Sequence, residues 1–410
     1  MDKAVHQLEP SVLIFAVSYL ILAIGQPPIL RIDRTGAVII GASLMVFVGA
    51  ISMEDAYKSI DYRTLATLFG LMVLVAHFRL SGAVNLLSAW VLKRAGTPNG
   101  LLIFVIAAAG VLSALFVNDT ICLLFTPMLL RLTYSMGTDP RPHLLALCMA
   151  ANVGSAATIT GNPQNLIIGM ASGINYGKFF INMLVPSAAG LLFTYVAIRI
   201  FYRHQLTTPT TQHKDSGNFP YHKAMVIKFI FLSTACLAGF FSGLPIEVVA
   251  MAIASCFLIT RRVKPEKVYQ MIDFKLLLLF IGLFVIMGGF QGSKAFTWLS
   301  DLSTIALRGS ISLSFVSAGL SNLVSNVPAV MLLKPLVKTL GLGDRGWLIL
   351  AMSSTFAGNL TILGSIANII VVEGASGRVR ISFMEHLKVG LPVTLTSISF
   401  GIWWLNNFYI

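Results

Sequence analysis

The fold is decided by one stretch of sequence, Phe116-Val117-Asn118-Asp119-Thr120-Ile121-Cys122. Apolar residues lead up to this stretch from Leu101 and continue after it to Leu130, so a short polar group interrupts a segment otherwise suited to hydrocarbon. A carboxylate near the centre of a bilayer costs roughly 2.5–3.5 kcal/mol on insertion scales. We therefore expect the interruption to serve a function that uses the charge.

A second polar interruption divides the apolar run from Leu313 to Leu333, and it reads Ser325-Asn326-Val327-Pro328. We interpret both interruptions as the tips of helical hairpins that face each other across a substrate site. Backbone groups left unpaired at such tips are tolerated in a membrane only against protein or a wet cavity.

The composition places the whole chain in a membrane. Of its 410 residues, 56% are hydrophobic and 11% are charged, and the mean hydropathy is +0.83, whereas soluble domains carry about 25% charged residues. The net charge of +13 does not indicate nucleic-acid binding, because the basic residues lie in short loops between apolar spans. The N-terminal residues lack the basic region and cleavage site of a signal peptide. We predict an all-α polytopic membrane protein.

No catalytic site, metal site or cofactor is expected. The four cysteines lie in apolar segments without paired spacing, and the seven histidines are scattered, so neither a disulfide framework nor a zinc site is indicated. The chain also lacks the Gly-x-x-x-x-Gly-Lys-Ser/Thr phosphate loop. These features do not favour an enzyme.

The second half of the sequence repeats the first. Three of the matches pair Ile60-Asp61-Tyr62 with Ile272-Asp273-Phe274, Leu115-Phe116-Val117-Asn118 with Leu323-Val324-Ser325-Asn326, and Gly161-Asn162-Pro163-Gln164-Asn165 with Gly364-Ser365-Ile366-Ala367-Asn368. The matches keep their order along the chain, which indicates internal duplication. Within the first pair, Asp61 is expected to cap a helix that begins at Tyr62.

The duplication predicts two repeats joined by a polar cytoplasmic linker, at residues 1–203, 223–410 and 204–222 respectively. Hairpins are expected at about 99–135 and 311–341, and broken helices at about 143–172 and 346–372. Each half has an odd number of crossings, so the second half enters the membrane from the opposite side. The predicted fold is an inverted repeat of two five-helix halves, each with a re-entrant hairpin and a broken helix, as in secondary transporters.

The distribution of charge between the loops predicts the orientation. Most of the 29 lysine and arginine residues fall on the side that carries the linker, which is therefore predicted to be cytoplasmic. Both termini are then expected outside the cytoplasm, in a multi-pass protein of the inner (plasma) membrane.

Polar side chains at the hairpin tips and helix breaks form the predicted substrate site. They are hydroxyl and amide groups with one carboxylate, and the tips themselves carry no lysine or arginine. This set suits a small neutral hydroxylated solute or a weakly charged oxyanion, and it also allows a cation to be coordinated. The predicted binding residues are Asn118, Thr120, Thr160, Asn162, Asn165, Ser325, Asn326, Thr361, Ser365 and Asn368.

Asp119 is the acidic residue of the first interruption, and Val327 occupies the matching place in the second. Burial favours the neutral form of a carboxyl group, whereas hydrogen bonds or a bound cation favour the charged form. A site with alternating access to water could therefore load and unload a proton, which predicts that Asp119 couples transport to protons. The alternative is a carboxylate that caps the hairpin tip by accepting backbone N–H bonds.

Four runs of sequence resemble a known family: FVNDTICLLFTP (116–127), TITGNPQNLIIG (158–169), SNVPAVMLL (325–333) and GSIANIIV (364–371). They are similar to the ion transporter superfamily, and more closely to its arsenite/antimonite efflux permeases. The resemblance covers nearly the whole chain. It implies export of arsenite and antimonite from the cytoplasm in exchange for protons, in some members with a separate cytoplasmic ATPase as partner.

Related families leave alternatives open. The divalent-anion:sodium symporters of the superfamily carry Ser-Asn-Thr at both hairpin tips, whereas this chain has Val117-Asn118-Asp119-Thr120 and Ser325-Asn326-Val327-Pro328. The alternatives to metalloid export are a sodium-coupled carboxylate or inorganic-anion transporter and a sodium/proton antiporter.

Overall fold

The computed structural model describes residues 9–24, 32–94, 97–207, 220–307 and 309–410. Every regular element in these ranges is a helix, which confirms the predicted all-α class. Five of the helices are long and apolar enough to cross a membrane, and they are Tyr62–Leu80, Pro98–Leu115, Tyr176–Phe201, Lys223–Phe241 and Phe274–Gln291.

The described residues of the first half fold into eleven helices. They are α1 (Pro10–Ile24), α2 (Arg34–Phe47), α3 (Met53–Ser59), α4 (Tyr62–Leu80), α5 (Ala83–Arg94), α6 (Pro98–Leu115), α7 (Asn118–Ser135), α8 (Arg141–Ser155), α9 (Pro163–Ser172), α10 (Tyr176–Phe201) and α11 (Arg203–Thr207). Helix α11 begins the predicted linker, of which residues 208–219 lie outside the described part of the chain.

The second half follows with ten helices and one short 3₁₀ turn (Ile362–Gly364). The helices are α12 (Lys223–Phe241), α13 (Ile246–Leu258), α14 (Pro265–Tyr269), α15 (Phe274–Gln291), α16 (Lys294–Ala306), α17 (Ser310–Val324), α18 (Asn326–Thr339), α19 (Gly343–Ala357), α20 (Ile366–Ala375) and α21 (Phe383–Asn407). Their lengths follow those of α1 to α10 in order: α8 and α19 have 15 residues each, and α9 and α20 have 10 each.

Local capping explains where the two matching long helices begin. The side chain of Asp61 accepts hydrogen bonds from the backbone N–H groups of Arg63 and Thr64 at the start of α4. Asp273 accepts from Leu276 N at 3.0 Å at the start of α15. A carboxylate at this position satisfies N–H groups that lack a partner within the helix. The predicted start at Tyr62 is confirmed.

The two polar interruptions of the sequence lie at boundaries between helices. In each hairpin one helix ends and the next begins after only one or two residues, between α6 and α7 around Asn118 and between α17 and α18 around Asn326. Longer irregular crossings separate α8 from α9 and α19 from α20. The first crossing needs Gly161, because a Cβ atom there would lie 2.2 Å from the Ser155 carbonyl oxygen.

Equivalent helices of the two halves make equivalent contacts with the opposite half. Helix α4 lies against α13, and its counterpart α15 lies against α2, the counterpart of α13. The hairpin helix α7 likewise lies against α20, while α18 lies against α9. Each hairpin therefore meets the broken helix of the other half, which brings both tips and both breaks to one region of the bundle.

Candidate transport site

The two hairpin tips and the two broken helices line one cavity. The tips contribute Asn118, Asp119 and residues 324–328, and the breaks contribute Pro163, Gln164, Ser365 and Ile366. Measured over the positions of the centre of a water molecule, the cavity has a volume of about 40 Å³, and a single water needs roughly 10–15 Å³ on this measure. The space holds a few water molecules or one small solute.

Four helices point their N-termini at this cavity. Helix α7 begins at Asn118, α18 at Asn326, α9 at Pro163 and α20 at Ile366, and all four residues line the cavity wall. The first N–H groups of a helix have no partner within it, and the N-terminal end carries a partial positive charge. The cavity is thus suited to oxygen atoms of a solute, with or without negative charge.

Each tip is fixed to the broken helix of its own half. The backbone N–H of Asn118 donates to the Gly161 carbonyl at 3.1 Å. In the amide orientation that satisfies its neighbours, the side chain of Asn326 donates to the carbonyl oxygens of Gly364 at 3.1 Å and Ser354 at 3.0 Å. The first tip is therefore held by a backbone hydrogen bond, and the second by the side chain of a residue that lines the cavity.

Asn152 joins the first tip to the second break. Its Oδ1 accepts from Asn118 Nδ2 and from Ser365 Oγ, both at 2.9 Å. Its Nδ2 donates to Oδ1 of Asn359 at 2.9 Å and of Asn368 at 3.0 Å. All five side chains are buried. Asn152 is not among the binding residues predicted from the sequence, although a lone amide within the apolar helix α8 indicates a need for hydrogen-bond partners.

Thr355 takes the equivalent place in the second half. Its hydroxyl accepts from Nδ2 of Asn162 and from Nε2 of Gln164 and donates to Oδ1 of Asn165, each at 3.3 Å. Thr355 lies on α19, the counterpart of α8, so the break in each half is tied to the helix that precedes the break in the other half. Asn152 and Thr355 form a matched pair of links.

Asn165 and Asn368 hold the irregular backbone of the breaks. Asn165 Nδ2 donates to the carbonyl oxygens of Ser155 at 3.2 Å and Thr158 at 3.0 Å. Asn368 Nδ2 donates to those of Gly358 at 2.7 Å and Thr361 at 2.9 Å. Carbonyl groups without a helical partner inside a membrane need such donors, so both amides stabilise the irregular crossings.

The predicted binding residues thus fall into two groups. Asn118, Ser325, Asn326 and Ser365 line the cavity together with Asp119. The remaining ones lie outside the lining, and they are Thr120, Thr160, Asn162, Asn165, Thr361 and Asn368. Among these, the hydroxyl of Thr160 bonds Tyr176 at 2.8 Å and that of Thr361 donates to Asn322 at 3.0 Å.

Two opposite charges lie in the cavity wall. Asp119 is half-buried in the first turn of α7, which begins without a side-chain cap, and its carboxylate faces the backbone N–H of Ala367 on α20. Arg34, half-buried at the start of α2, has no ion-pair partner among the described residues. The Oδ1 atom of Asn118 is buried and has no hydrogen-bond partner there either. The wall therefore offers a carboxylate, a guanidinium and an unused acceptor to a solute.

The rest of the cavity wall comes from α1, α2 and α15, which contribute Leu22, Arg34, Leu276, Leu279 and Phe280. Arg34 lies at the start of α2, and the three residues of α15 lie in its first two turns. The cavity is thus bounded by the ends of α2 and α15 that are predicted to be cytoplasmic. Arg34 is not among the residues predicted from the sequence, because nothing in its local sequence distinguishes it from a loop arginine.

Three relatives resemble the chain over nearly its full length. The rice protein "Silicon efflux transporter LSI3" is 29% identical and covers 95% of both chains. The Dictyostelium discoideum protein "Putative transporter arsB" is 25% identical over 91% of this chain and 87% of its own. The "46 kDa membrane protein" of Mycobacterium leprae is 27% identical over 97% of this chain and 98% of its own.

The fold is similar to a solved structure, the YdaH transporter of Alcanivorax borkumensis, with a TM-score of 0.62, 16% identity and 97% of each chain covered. That structure is described as having an unusual topology. Residues 19–357 of this chain match the citrate transporter family, CitMHS. The chain therefore belongs to the CitMHS citrate transporter family, which is a family of transporters, and it is a multi-pass membrane protein.

Proposed function

We propose that this chain is a secondary active transporter that exports arsenite and antimonite from the cytoplasm in exchange for protons. The observation that carries the proposal is the small cavity between the hairpin tips, with its amides, hydroxyls, helix N-termini and one carboxylate. Arsenite is mostly a neutral trihydroxide near neutral pH. Amide and hydroxyl groups at the tips can replace the water that such a solute loses on entering the membrane.

The relatives support this class of solute. The names of two of them refer to silicon efflux and to arsB. Dissolved silicon is, like arsenite, a neutral hydroxide near neutral pH, so one arrangement of hydrogen-bonding groups serves both. At 25–29% identity these relatives support the class of small neutral hydroxides and not one member of it.

Proton exchange is assigned to Asp119, the carboxylate of the cavity wall. When the cavity faces outwards, Asp119 takes up a proton, and it releases this proton when the cavity faces the cytoplasm. The solute occupies the same small space, so the protonated and the loaded states exclude each other. This exclusion couples the entry of a proton to the export of the solute.

A sodium-coupled carboxylate transporter is the second candidate, because the family is named after citrate transport and because Arg34 places a cation in the cavity wall. Guanidinium groups are well suited to carboxylates. The volume of about 40 Å³ favours the smaller solute, since it is room for only a few water molecules.

The test begins with cells that lack their own exporter, exposed to arsenite with and without this chain. We expect lower retained arsenic with the chain. Purified protein in vesicles should then move arsenite under a proton gradient and not under a sodium gradient. Movement of citrate under a sodium gradient, without arsenite transport, would replace this proposal by the second candidate.

The coupling residue is tested by Asp119→Asn in the same vesicles. We expect proton-driven arsenite transport to fall at least tenfold, because the amide cannot release a proton. The control is Asp55→Asn, since Asp55 is an exposed carboxylate on α3 outside the cavity, and it should leave transport unchanged. Full proton-driven transport by Asp119→Asn would remove the role assigned to Asp119.

A further inference from the structure

A second cavity, which shares no residue with the transport site, lies beside the end of α4 and the start of α12. Its volume is about 410 Å³, measured as for the first cavity. Four of its lining residues are basic or can become so, namely His222, Arg262, Lys264 and Lys267. We call it the basic cavity.

No carboxylate of the described residues neutralises the basic side chains of the basic cavity. None of Arg262, Lys264 and Lys267 forms an ion pair with a carboxylate of the described residues, although six other ion pairs are formed in that part of the chain. All three side chains are exposed. Convergence of unpaired cations on one concave surface indicates an anionic partner.

The floor of the basic cavity is apolar. Leu80, Met225 and Val263 form it, and Met225 is only 8% exposed. Leu80 is the last residue of α4 and Met225 lies in the first turn of α12, and both helices are long and apolar enough to span a membrane. The cavity therefore lies at the level where a span ends, which is the level of lipid headgroups.

The internal duplication provides a comparison within the same molecule. The loop before α14 corresponds to the loop before α3, where Ala50, Ser52 and Asp55 take the places of Arg262, Lys264 and Lys267. There, Ser52 accepts a hydrogen bond from Asp55 N at 3.0 Å and caps the helix. The fold can thus build this turn without any cation, so the three basic residues have a role other than shaping the turn.

We propose that the basic cavity binds the phosphate headgroup of an anionic phospholipid. The cations contact the phosphate oxygens, and the first methylene groups of the acyl chains pack against Leu80, Met225 and Val263. A general excess of positive charge on the cytoplasmic side accounts for basic residues in loops, but it does not account for their convergence around an apolar floor. Basic pockets at the ends of membrane helices are suited to anionic headgroups.

The experiment uses the full chain purified in a neutral detergent and titrated with a short-chain, water-soluble phosphatidylglycerol, with heat of binding as the readout. The triple variant Arg262→Gln/Lys264→Gln/Lys267→Gln should bind roughly 100-fold more weakly, because each cation near a membrane surface contributes a factor of about five. The matched control is Lys223→Gln/Arg261→Gln/Lys275→Gln, which removes the same charge from exposed positions outside the cavity and should change binding by less than about threefold.

Two further arms identify the source of the phosphate. Phosphatidylcholine with the same chains and inorganic phosphate should each bind at least tenfold more weakly than phosphatidylglycerol. Equal weakening in the two triple variants, equal binding of phosphatidylcholine, or equal binding of inorganic phosphate would each overturn the proposal. If the triple variant does not retain the elution volume and melting temperature of the parent, Lys264→Gln alone replaces it, with an expected weakening of about fivefold.

Discussion

Ser325 carries backbone strain at the second hairpin tip. Its φ of 74° and ψ of 159° lie in a region that glycine adopts readily and other residues avoid, and it is the one non-glycine residue with positive φ in the described ranges. Such strain costs about 1–3 kcal/mol and persists only where the surroundings impose it. Ser325 also lines the cavity of the candidate transport site, so the strained residue lies where we propose that the solute binds.

The variants Ser325→Gly and Ser325→Ala separate strain from chemistry. Ser325→Gly should raise the free energy of unfolding by about 1 kcal/mol, since relief of strain exceeds the entropic cost of glycine. Ser325→Ala keeps the Cβ atom and therefore the strain, so its stability should match the parent. Both variants lose the hydroxyl, and arsenite transport should fall in both. Melting in detergent and vesicle transport are the measurements, and a more stable Ala variant would contradict the strain argument.

Asn152 marks the limit of what the sequence predicts about single residues. The tips and breaks were predicted because polar groups, Gly161 and Asn162 among them, stand out in apolar surroundings. Asn152 stands out in the same way, but its role depends on hydrogen bonds to residues on α7, on α20 and in the crossing before α20. Arg34 reaches the cavity only through packing of α2 against α1 and α15, which no local pattern encodes.

At the scale of helices, close approach between the halves depends on two glycines. A Cβ atom on Gly70 of α4 would lie 2.7 Å from the carbonyl oxygen of Ala250 on α13, and one on Gly282 of α15 would lie 2.5 Å from Val38 on α2. The two contacts are equivalent under the duplication. They let α4 and α15 pack backbone to backbone against the other half, as small residues do between membrane helices.

The variant Gly70→Ala tests this packing. Because the obstructing atoms belong to the backbone of α13, the helices must separate, and the free energy of unfolding should fall by roughly 1–3 kcal/mol. The control is Gly319→Ala on α17, where a Cβ atom meets nothing within 4 Å. That variant should gain up to about 1 kcal/mol from the higher helix propensity of alanine. Melting curves in detergent distinguish the two, and equal melting temperatures would argue against close packing at Gly70.

Helix starts and breaks followed from local chemistry, and the pairing of helices did not. Asp61, Asp273 and the hairpin interruptions are signals that act within a few residues, so α4, α15 and α7 begin close to where the sequence predicts. The contacts of α4 with α13 and of α15 with α2 join elements that are far apart in sequence. The duplicated motifs predict that two such contacts exist, but not which helices make them.

At the scale of the whole molecule, matching helices differ in exposure. Leu276 and Leu279 of α15 are partly exposed and line the cavity of the candidate transport site. Their counterparts on α4 under the duplication, Thr64 and Thr67, are fully buried. A transporter built from two equivalent halves can reach its opposite state when the halves exchange conformations. We infer that this structure is open towards the predicted cytoplasmic side and closed along α4.

This inference predicts which positions react with a membrane-impermeant thiol reagent in vesicles. With the exposed Cys256 replaced by serine, Leu279→Cys should be labelled from the cytoplasmic side at least tenfold faster than Thr67→Cys, because only the former borders the cavity. Leu74→Cys, buried on the same helix as Thr67, reports background labelling. When a proton gradient drives the opposite state, Thr67→Cys should become reactive from the other face and Leu279→Cys should be protected. Labelling of both positions from one face under all conditions would mean that the halves do not exchange conformations.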